Sequence, residues 1–153
     1  MMGVTSAQMV ELADSLPQPP LAFGANCGTG ASDLLRTVQG FAAAKATRPL
    51  IAKGNAGIPK YVDGHIHYDG TPELMAEYAV MARDSGAKII GGCCGTMPDH
   101  LHLMREALDP RPRGSVPPLA EIAQALGPFS SDTDGTETGV EQPQRRRRSR
   151  RRA

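Results

Sequence analysis

The sequence predicts an α/β fold with a parallel sheet, and three observations support this prediction. Short apolar segments alternate with helical apolar patterns three times, and turn residues separate them. Strands that alternate with helices at this spacing form right-handed βαβ crossovers. An eight-stranded barrel takes roughly 250 residues, so about 125 ordered residues with three strands cannot close one. We therefore expect either an open sheet or part of a larger structure.

The first unit follows an opening helix over residues 5–15, in which Thr5 and Gln8 stand at capping-box spacing. Residues 21–25 are apolar and predict a short buried strand, and residues 26–30 predict the loop after it. The next segment predicts a helix because its apolar residues recur at helical spacing: Leu34, Leu35, Val38, Phe41 and Ala42.

The second unit begins with a strand over residues 49–53 and continues into a long loop over residues 54–70. A helix follows this loop, with Thr71 as its cap and Pro72 at its first position. Its buried side is predicted to carry Leu74, Tyr78, Met81 and Ala82.

The third unit consists of a strand over residues 87–90, a glycine-rich loop over residues 91–96 and a helix. That helix is marked by Leu101, Met104 and Leu108, and a shorter one by Leu119, Ile122 and Leu126. We expect residues 1–127 to form one partial domain, and residues 128–153 to be a disordered, arginine-rich tail with almost nothing apolar to bury.

The charges are divided unevenly along the chain. Seven of the 17 basic residues are arginines within residues 145–152, whereas all 16 acidic residues precede them, so residues 1–144 carry a net charge of −6. The arginine run lacks aromatic stacking residues and base-reading motifs. It therefore predicts a solvated tail that binds polyanions weakly, without a specific nucleic-acid partner.

The composition favours thiol or metal chemistry in the cytoplasm. No apolar run has the ~18 residues of a membrane span, and residues 1–5 lack the features of a signal peptide. The cysteines are three in number, and two of them are adjacent, which argues against a disulfide framework. We expect no membrane association.

All three cysteines directly follow a predicted strand: Cys27 follows the first, and Cys93 and Cys94 follow the third. Ligands of parallel α/β folds bind at the carboxyl ends of the strands. Adjacent strand residues point to opposite faces, so Cys93 and Cys94 can converge only if the surrounding glycines let the backbone leave extended geometry. Three thiolates with one open position suit Zn²⁺, although buried cysteines also occur as simple packing residues.

Three segments of the chain form a recognisable set: Gly24-Ala25-Asn26-Cys27, Asn55-Ala56-Gly57-Ile58-Pro59 and Gly91-Gly92-Cys93-Cys94-Gly95. In this order and spacing they resemble segments of the zinc-dependent homocysteine S-methyltransferases, with the closest likeness to bacterial betaine–homocysteine S-methyltransferases. The resemblance covers about residues 1–108.

The resemblance implies a (β/α)8 TIM barrel in which three cysteines hold zinc and the homocysteine sulfur takes the fourth position. Cys27, Cys93 and Cys94 match those ligands. The chain then corresponds to the last three βα units, an incomplete C-terminal fragment that is inactive alone and needs the N-terminal barrel half or oligomerisation. The implied reaction transfers a methyl group, with betaine as the expected donor, to the homocysteine thiol and gives methionine; it requires alignment rather than an acid–base residue.

The histidines and tyrosines have weaker signals. His65 and His67 could lie on one side of a strand as metal ligands, but a solvated or loop-bracing role is expected instead. We expect His100 and His102 to be surface residues. Tyr61 and Tyr68 fit a donor pocket or ordinary packing equally well.

A second hypothesis remains open from the sequence. The same cysteines and basic tail would also suit a small zinc-thiolate protein that acts in binding or redox sensing. The two hypotheses differ in the fourth metal ligand, because only the enzyme would bind homocysteine there.

Overall fold

The structure, a computed structural model, describes residues 4–131. It consists of helices packed on one face of a small parallel sheet, together with a separate two-stranded hairpin. The helices are α1 (Ser6–Ser15), α2 (Ala31–Ala43), α3 (Pro72–Asp84), α4 (Pro98–Leu108) and α5 (Leu119–Leu126), and the strands are β1 (Phe23–Cys27), β2 (Leu50–Gly54), β3 (Lys60–Val62), β4 (His65–His67) and β5 (Ala87–Gly92).

The parallel sheet has the strand order β1-β2-β5, and the predicted alternation of strands and helices is confirmed. At its carboxyl edge, Cys27 pairs with Gly54, which pairs in turn with Gly92. The first strand ends two residues later than predicted, so Asn26 and Cys27 belong to β1 rather than to the following loop. The pairing with β2 extends β1, and such long-range pairing is invisible in the local pattern.

The segment between β2 and α3 contains a hairpin, so the prediction of an unbroken loop over residues 54–70 is wrong. Strands β3 and β4 pair antiparallel, and Asp63 and Gly64 form the turn with φ values of 49° and 82°. Two left-handed residues in succession form the turn that matches strand twist, and Asp-Gly is a frequent sequence for it. This dipeptide was the available signal, but three-residue strands are too short to show an alternating pattern.

The two faces of the parallel sheet differ. Along β2, Leu50, Ala52 and Gly54 are buried on the side that packs against α2, and Gly54 also contacts Tyr78 of α3. Ile51 is half-buried, and Lys53 is exposed. Ile89 of β5 is in register with Ile51, and 49% of its surface is exposed. Parallel sheets are normally covered on both faces. Within residues 4–131, helices cover only one face of this sheet.

The helix boundaries follow the predicted signals closely. Thr5 caps α1 through a complete capping box with Gln8, and Thr71 caps α3 with Pro72 at its first position. The buried core lies between α2, α3 and the covered face of the sheet, with α5 packed on both helices. Leu101 is one of the apolar residues that predict α4, but it does not join this core, because 49% of its surface is exposed.

The predicted tail over residues 128–153 falls mostly outside the described residues, which end at 131. Its first residues lie against α2: the Phe129 ring faces the Arg36 guanidinium at 4.6 Å, and the Ser130 amide donates to Asp33. The disorder expected of the remainder stays a prediction.

The observed fold is thus a mixed α/β structure with an open parallel sheet, compatible with part of a TIM barrel. None of the helices described between residues 4 and 131 is both long enough and apolar enough to cross a membrane.

Candidate metal site

The three cysteines meet at the carboxyl edge of the sheet. Cys27 is the last residue of β1, while Cys93 and Cys94 directly follow β5, so the two cysteine segments face each other across the end of β2. The Cys27 and Cys94 sulfurs are 3.8 Å apart, and the Cys93 and Cys94 sulfurs are 3.9 Å apart. All three side chains are half-buried, and their sulfurs lie within 4.8 Å of one another. The predicted convergence of the cysteines is confirmed.

The backbone bends sharply at both cysteine segments. Cys27 itself has a φ of 65°, in the left-handed region that residues with a side chain rarely adopt, and Gly28 follows with a φ of 83°. Gly95 ends the other segment with a φ of 75°. The expectation that glycine allows Cys93 and Cys94 to converge therefore holds for Gly95, since left-handed backbone carries no steric penalty there.

The Cys93–Cys94 segment is fixed mainly by backbone hydrogen bonds to the residues after β2. The Cys93 amide donates to the Gly54 carbonyl at 2.8 Å, and the Ala56 amide donates to the Cys94 carbonyl at 2.9 Å. Both bonds continue the β2–β5 pairing beyond the formal end of the sheet. The two sulfurs are therefore carried on backbone that is nearly as constrained as a strand.

Asn55 joins the two cysteine segments through its side chain. Its amide nitrogen donates to the Gly28 carbonyl at 2.9 Å, and its oxygen accepts from the Cys94 amide at 3.2 Å. Only 1% of Asn55 is exposed, and both bonds are partly buried. Sequence reasoning did not assign this role, although Asn55 directly follows β2 at the same edge as the cysteines.

The surroundings of the cysteines affect their thiol pKa values differently. Partial burial tends to raise the pKa of Cys93, but hydrogen bonds from Asn26 and from the neighbouring thiols outweigh it, and the net pKa is lowered. The Asn26 amide nitrogen lies 3.7 Å from the Cys93 sulfur. The pKa of Cys94 is raised, chiefly because its thiol interacts with Cys27, although Tyr68 acts in the opposite direction. Cys93 is therefore the more readily ionised of the adjacent pair.

Tyr68 forms one wall of the site. It follows the β3–β4 hairpin and is half-buried, and a Cβ atom added at Gly95 would lie 2.4 Å from its ring. Partial burial raises the pKa of the Tyr68 phenol, and its interaction with Cys94 raises it further. Of its two predicted roles, packing against the site is observed. Tyr61 lies elsewhere, on the hairpin, with 78% of its surface exposed.

The histidines lie outside the sulfur cluster. His65 and His67 are exposed on β4, and the only described group of three or more close metal-ligating side chains is the cysteine trio. His102 is on the surface as predicted. The prediction that His100 is also a surface residue is wrong: it is 9% exposed. Its Nδ1 accepts from the Met97 amide at 3.0 Å, so Nε2 carries the proton that is donated to the Gly70 carbonyl at 2.9 Å.

The donor set is chemically suited to a soft metal ion. Sulfur ligands select Zn²⁺, Cu⁺ or iron–sulfur clusters over Mg²⁺ and Ca²⁺, which prefer oxygen. Three sulfurs within 4.8 Å of one another can hold one ion and leave a coordination position for another ligand. The site can therefore bind a metal without rearrangement of the fold.

Comparison with known protein families agrees with this arrangement. A family model described as homocysteine S-methyltransferase matches residues 1–108, a span that contains all five strands and the three cysteines. The match covers more than two thirds of the chain and supports methyl transfer to homocysteine as the family's chemistry. The chain belongs to the homocysteine S-methyltransferase family.

Proposed function

We propose that Cys27, Cys93 and Cys94 bind one Zn²⁺ ion and that the chain provides the homocysteine-activating part of a methyltransferase, with betaine as the methyl donor. The observation that carries this proposal is the convergence of three sulfurs at the carboxyl edge of a parallel sheet in a member of this family. Parallel α/β enzymes bind their substrates at that edge.

The proposed reaction joins the homocysteine sulfur to a methyl carbon. Bound to the three cysteines, Zn²⁺ would supply a deprotonated homocysteine thiol at neutral pH, where a free thiol with a pKa near 8.5 is mostly protonated. A carbon–sulfur bond forms as the carbon–nitrogen bond of betaine breaks, and the bonding electron pair leaves with the nitrogen. The products are methionine and dimethylglycine, and the thiol proton passes to solvent. The amine leaves without needing a proton, so the site requires alignment more than an acid.

The chain's own residues hold the three sulfurs in place. Asn55 fixes the separation of the two cysteine segments, because its side chain bonds to both. Asn26 donates toward the Cys93 sulfur and favours its thiolate form. Tyr68 covers Gly95 and borders Cys94, which limits the access of water from that side.

The open face of the sheet supports a further part of the proposal. Ile89 is exposed on that face, and both edge strands, β1 and β5, lack a second neighbour among the described residues. We propose that the catalytic form gains additional βα units, from another polypeptide segment or a second copy, that complete a barrel over this face. The methyl donor would then be held largely by those units. The described residues alone would not convert homocysteine to methionine.

Metal and homocysteine binding can be tested by X-ray absorption on the zinc-loaded chain. We expect three sulfur neighbours at about 2.3 Å, and a fourth after homocysteine is added. A shell of nitrogen and oxygen would contradict the zinc site. Three sulfurs that remain unchanged with homocysteine would favour a zinc-thiolate protein that acts in binding or redox sensing.

The need for additional units can be tested separately. We expect no methionine from the purified chain with zinc, homocysteine and betaine, but turnover when it is co-expressed with the N-terminal five strand–helix units of a related enzyme. Turnover by the monomeric chain alone would contradict this part of the proposal. S-methylmethionine, supplied in place of betaine, tests the choice of donor. Fractionation of cells that produce the chain tests the cytoplasmic location that we propose for it.

A further inference from the structure

One basic side chain lies beside the cysteine site on the open face of the sheet. Lys53 is the penultimate residue of β2, and it is exposed, whereas its neighbours Ala52 and Gly54 are buried. It is in register with Asn26 of β1 and Gly91 of β5. This row of the sheet lies one residue, or about 3.3 Å, before the row that contains Cys27 at the carboxyl edge.

The surroundings of Lys53 leave room for a ligand. Gly91 has no side chain, and a Cβ atom built there would lie 3.8 Å from the Lys53 Cγ. The lysine stem therefore extends over the glycine of the neighbouring strand, on the strand that leads to Cys93 and Cys94. Asn26, on the other side, already directs its amide nitrogen at the Cys93 sulfur.

Lys53 also lacks an acidic partner. Most described basic side chains form ion pairs; Lys60, for example, pairs with Asp69 near the same edge of the sheet. Lys53 forms none within residues 4–131, where acidic residues are abundant. An unpaired ammonium beside a ligand-binding edge is a ready partner for an anion.

We propose that Lys53 binds the carboxylate of a ligand held at the cysteine site. This inference rests on the proposed function, since both proposed substrates carry a carboxylate. Homocysteine has one at the end opposite its thiol, and betaine has one beside its methylated nitrogen. A lysine on the central strand, between the two cysteine segments, would orient such a ligand with its carboxylate on the open face.

The experiment uses the zinc-loaded full chain and two variants, Lys53→Met and Lys88→Met. Lys88 is the matched control, because it is also exposed and unpaired, but it lies near the amino end of β5. Titration calorimetry compares L-homocysteine with 3-amino-1-propanethiol, which has the thiol and amine but no carboxylate. A second comparison uses betaine and choline in the presence of bound homocysteine, on the chain co-expressed with the N-terminal five strand–helix units of a related enzyme, because those units are proposed to hold most of the donor.

Carboxylate binding predicts a selective loss of affinity. Because each charge-assisted hydrogen bond is among the stronger ones, Lys53→Met should weaken a carboxylate ligand about tenfold or more. The analogue without the carboxylate should bind the variant and the wild type equally, and Lys88→Met should change neither. If Lys53→Met weakens only the binding of homocysteine, Lys53 binds the homocysteine carboxylate. If it weakens only the binding of betaine, Lys53 binds the betaine carboxylate.

Other results would overturn the inference without being confused with failure of the proposed function. Equal weakening of both thiols by Lys53→Met would mean that the lysine supports the metal site instead. Unchanged affinity for both homocysteine and betaine would show that Lys53 contacts neither. If neither L-homocysteine nor 3-amino-1-propanethiol binds the zinc-loaded wild-type protein, the thiol-binding function itself is wrong, whatever Lys53 does.

Discussion

The two cysteine segments reach the same point in different ways. The segment after β5 is held by backbone bonds from Cys93 and to Cys94, and its Gly95 packs under Tyr68. The segment after β1 depends on the left-handed φ of Cys27 itself, and the space beside Gly28 is open. Asn55 holds that segment from the side. The first is therefore fixed by the sheet, whereas the second is fixed by local backbone strain and one buried amide.

The largest expected effect is on the metal itself. Replacing Cys93 with Ser should remove most of the zinc, because it deletes a direct metal ligand. Loss of a residue that only contacts a ligand typically lowers metal affinity roughly 10–100-fold, and loss of the ligand itself should lower it further. Cys27→Ser should have an equal effect despite its different support. Metal content after dialysis measures both. The double variant His65→Ala/His67→Ala is the control and should keep its zinc; loss of metal there would mean that the exposed histidines are ligands.

Asn55 tests whether the two segments depend on one side chain. Asn55→Ala removes the partner of a carbonyl in one segment and of an amide in the other, each worth about 1–3 kcal/mol when buried. We expect zinc affinity to fall roughly 10–100-fold, as for other outer contacts of metal sites. The control is Asn26→Ala, which removes an exposed amide whose only hydrogen bond within residues 4–131 is to the Cys93 sulfur. Equal losses in the two variants would show that Asn55 does not couple the segments.

Two glycine substitutions separate backbone strain from packing. Gly28→Ala imposes only the left-handed φ, at a cost of about 1–2 kcal/mol, since no atom lies within 4 Å of the added Cβ. Gly95→Ala imposes the same strain and also drives a Cβ into the Tyr68 ring, which adds about 1–3 kcal/mol. Urea unfolding of the zinc-free proteins should rank Gly95→Ala as the less stable variant. The reverse ranking would mean that Tyr68 moves aside freely.

His100 joins the beginnings of α3 and α4. It connects Met97, at the start of α4, with Gly70, at the start of α3. His100→Ala should lower the free energy of unfolding by about 1–3 kcal/mol, because two backbone groups lose their partner. His102→Ala, on the exposed face of the same helix, should change it by no more than about 0.5 kcal/mol. Similar values for the two would contradict the buried role of His100.

The sequence was sufficient for those features that depend on local signals. Capping residues located α1 and α3, and the position of each cysteine after an apolar segment predicted their convergence. What it missed depends on contacts between distant segments. The length of β1 is set by pairing with β2, the burial of His100 by Gly70, and the bridging role of Asn55 by two loops that only the folded sheet brings together. The hairpin was missed for a different reason, since its strands are too short to show a period.

The smallest expected effect concerns Tyr78, which connects the core to the β2 end. The Gly54 amide donates to the Tyr78 hydroxyl at 2.9 Å, and the Gly54 carbonyl accepts from Cys93. Tyr78→Phe should cost about 1 kcal/mol of unfolding free energy at neutral pH, because the amide loses its acceptor. Tyr61→Phe, at an exposed position, is the control and should cost nothing measurable there.

The pH dependence of this difference has a definite sign. Burial raises the pKa of Tyr78 above its ordinary value of 10.0, an effect that the Gly54 hydrogen bond only partly offsets. The phenol therefore ionises more readily in the unfolded chain, so its contribution to stability is complete below pH 10 and is lost as the pH rises above 10. Tyr78→Phe lacks this loss. The loss approaches about 1.4 kcal/mol per pH unit above pH 10, so the ~1 kcal/mol advantage of the wild type over the variant should vanish by about pH 11. Urea unfolding of the zinc-free, reduced proteins at pH 7, 10 and 11 measures the gap. A gap that stays constant to pH 11 would show that the buried hydroxyl has no part in the alkaline loss of stability.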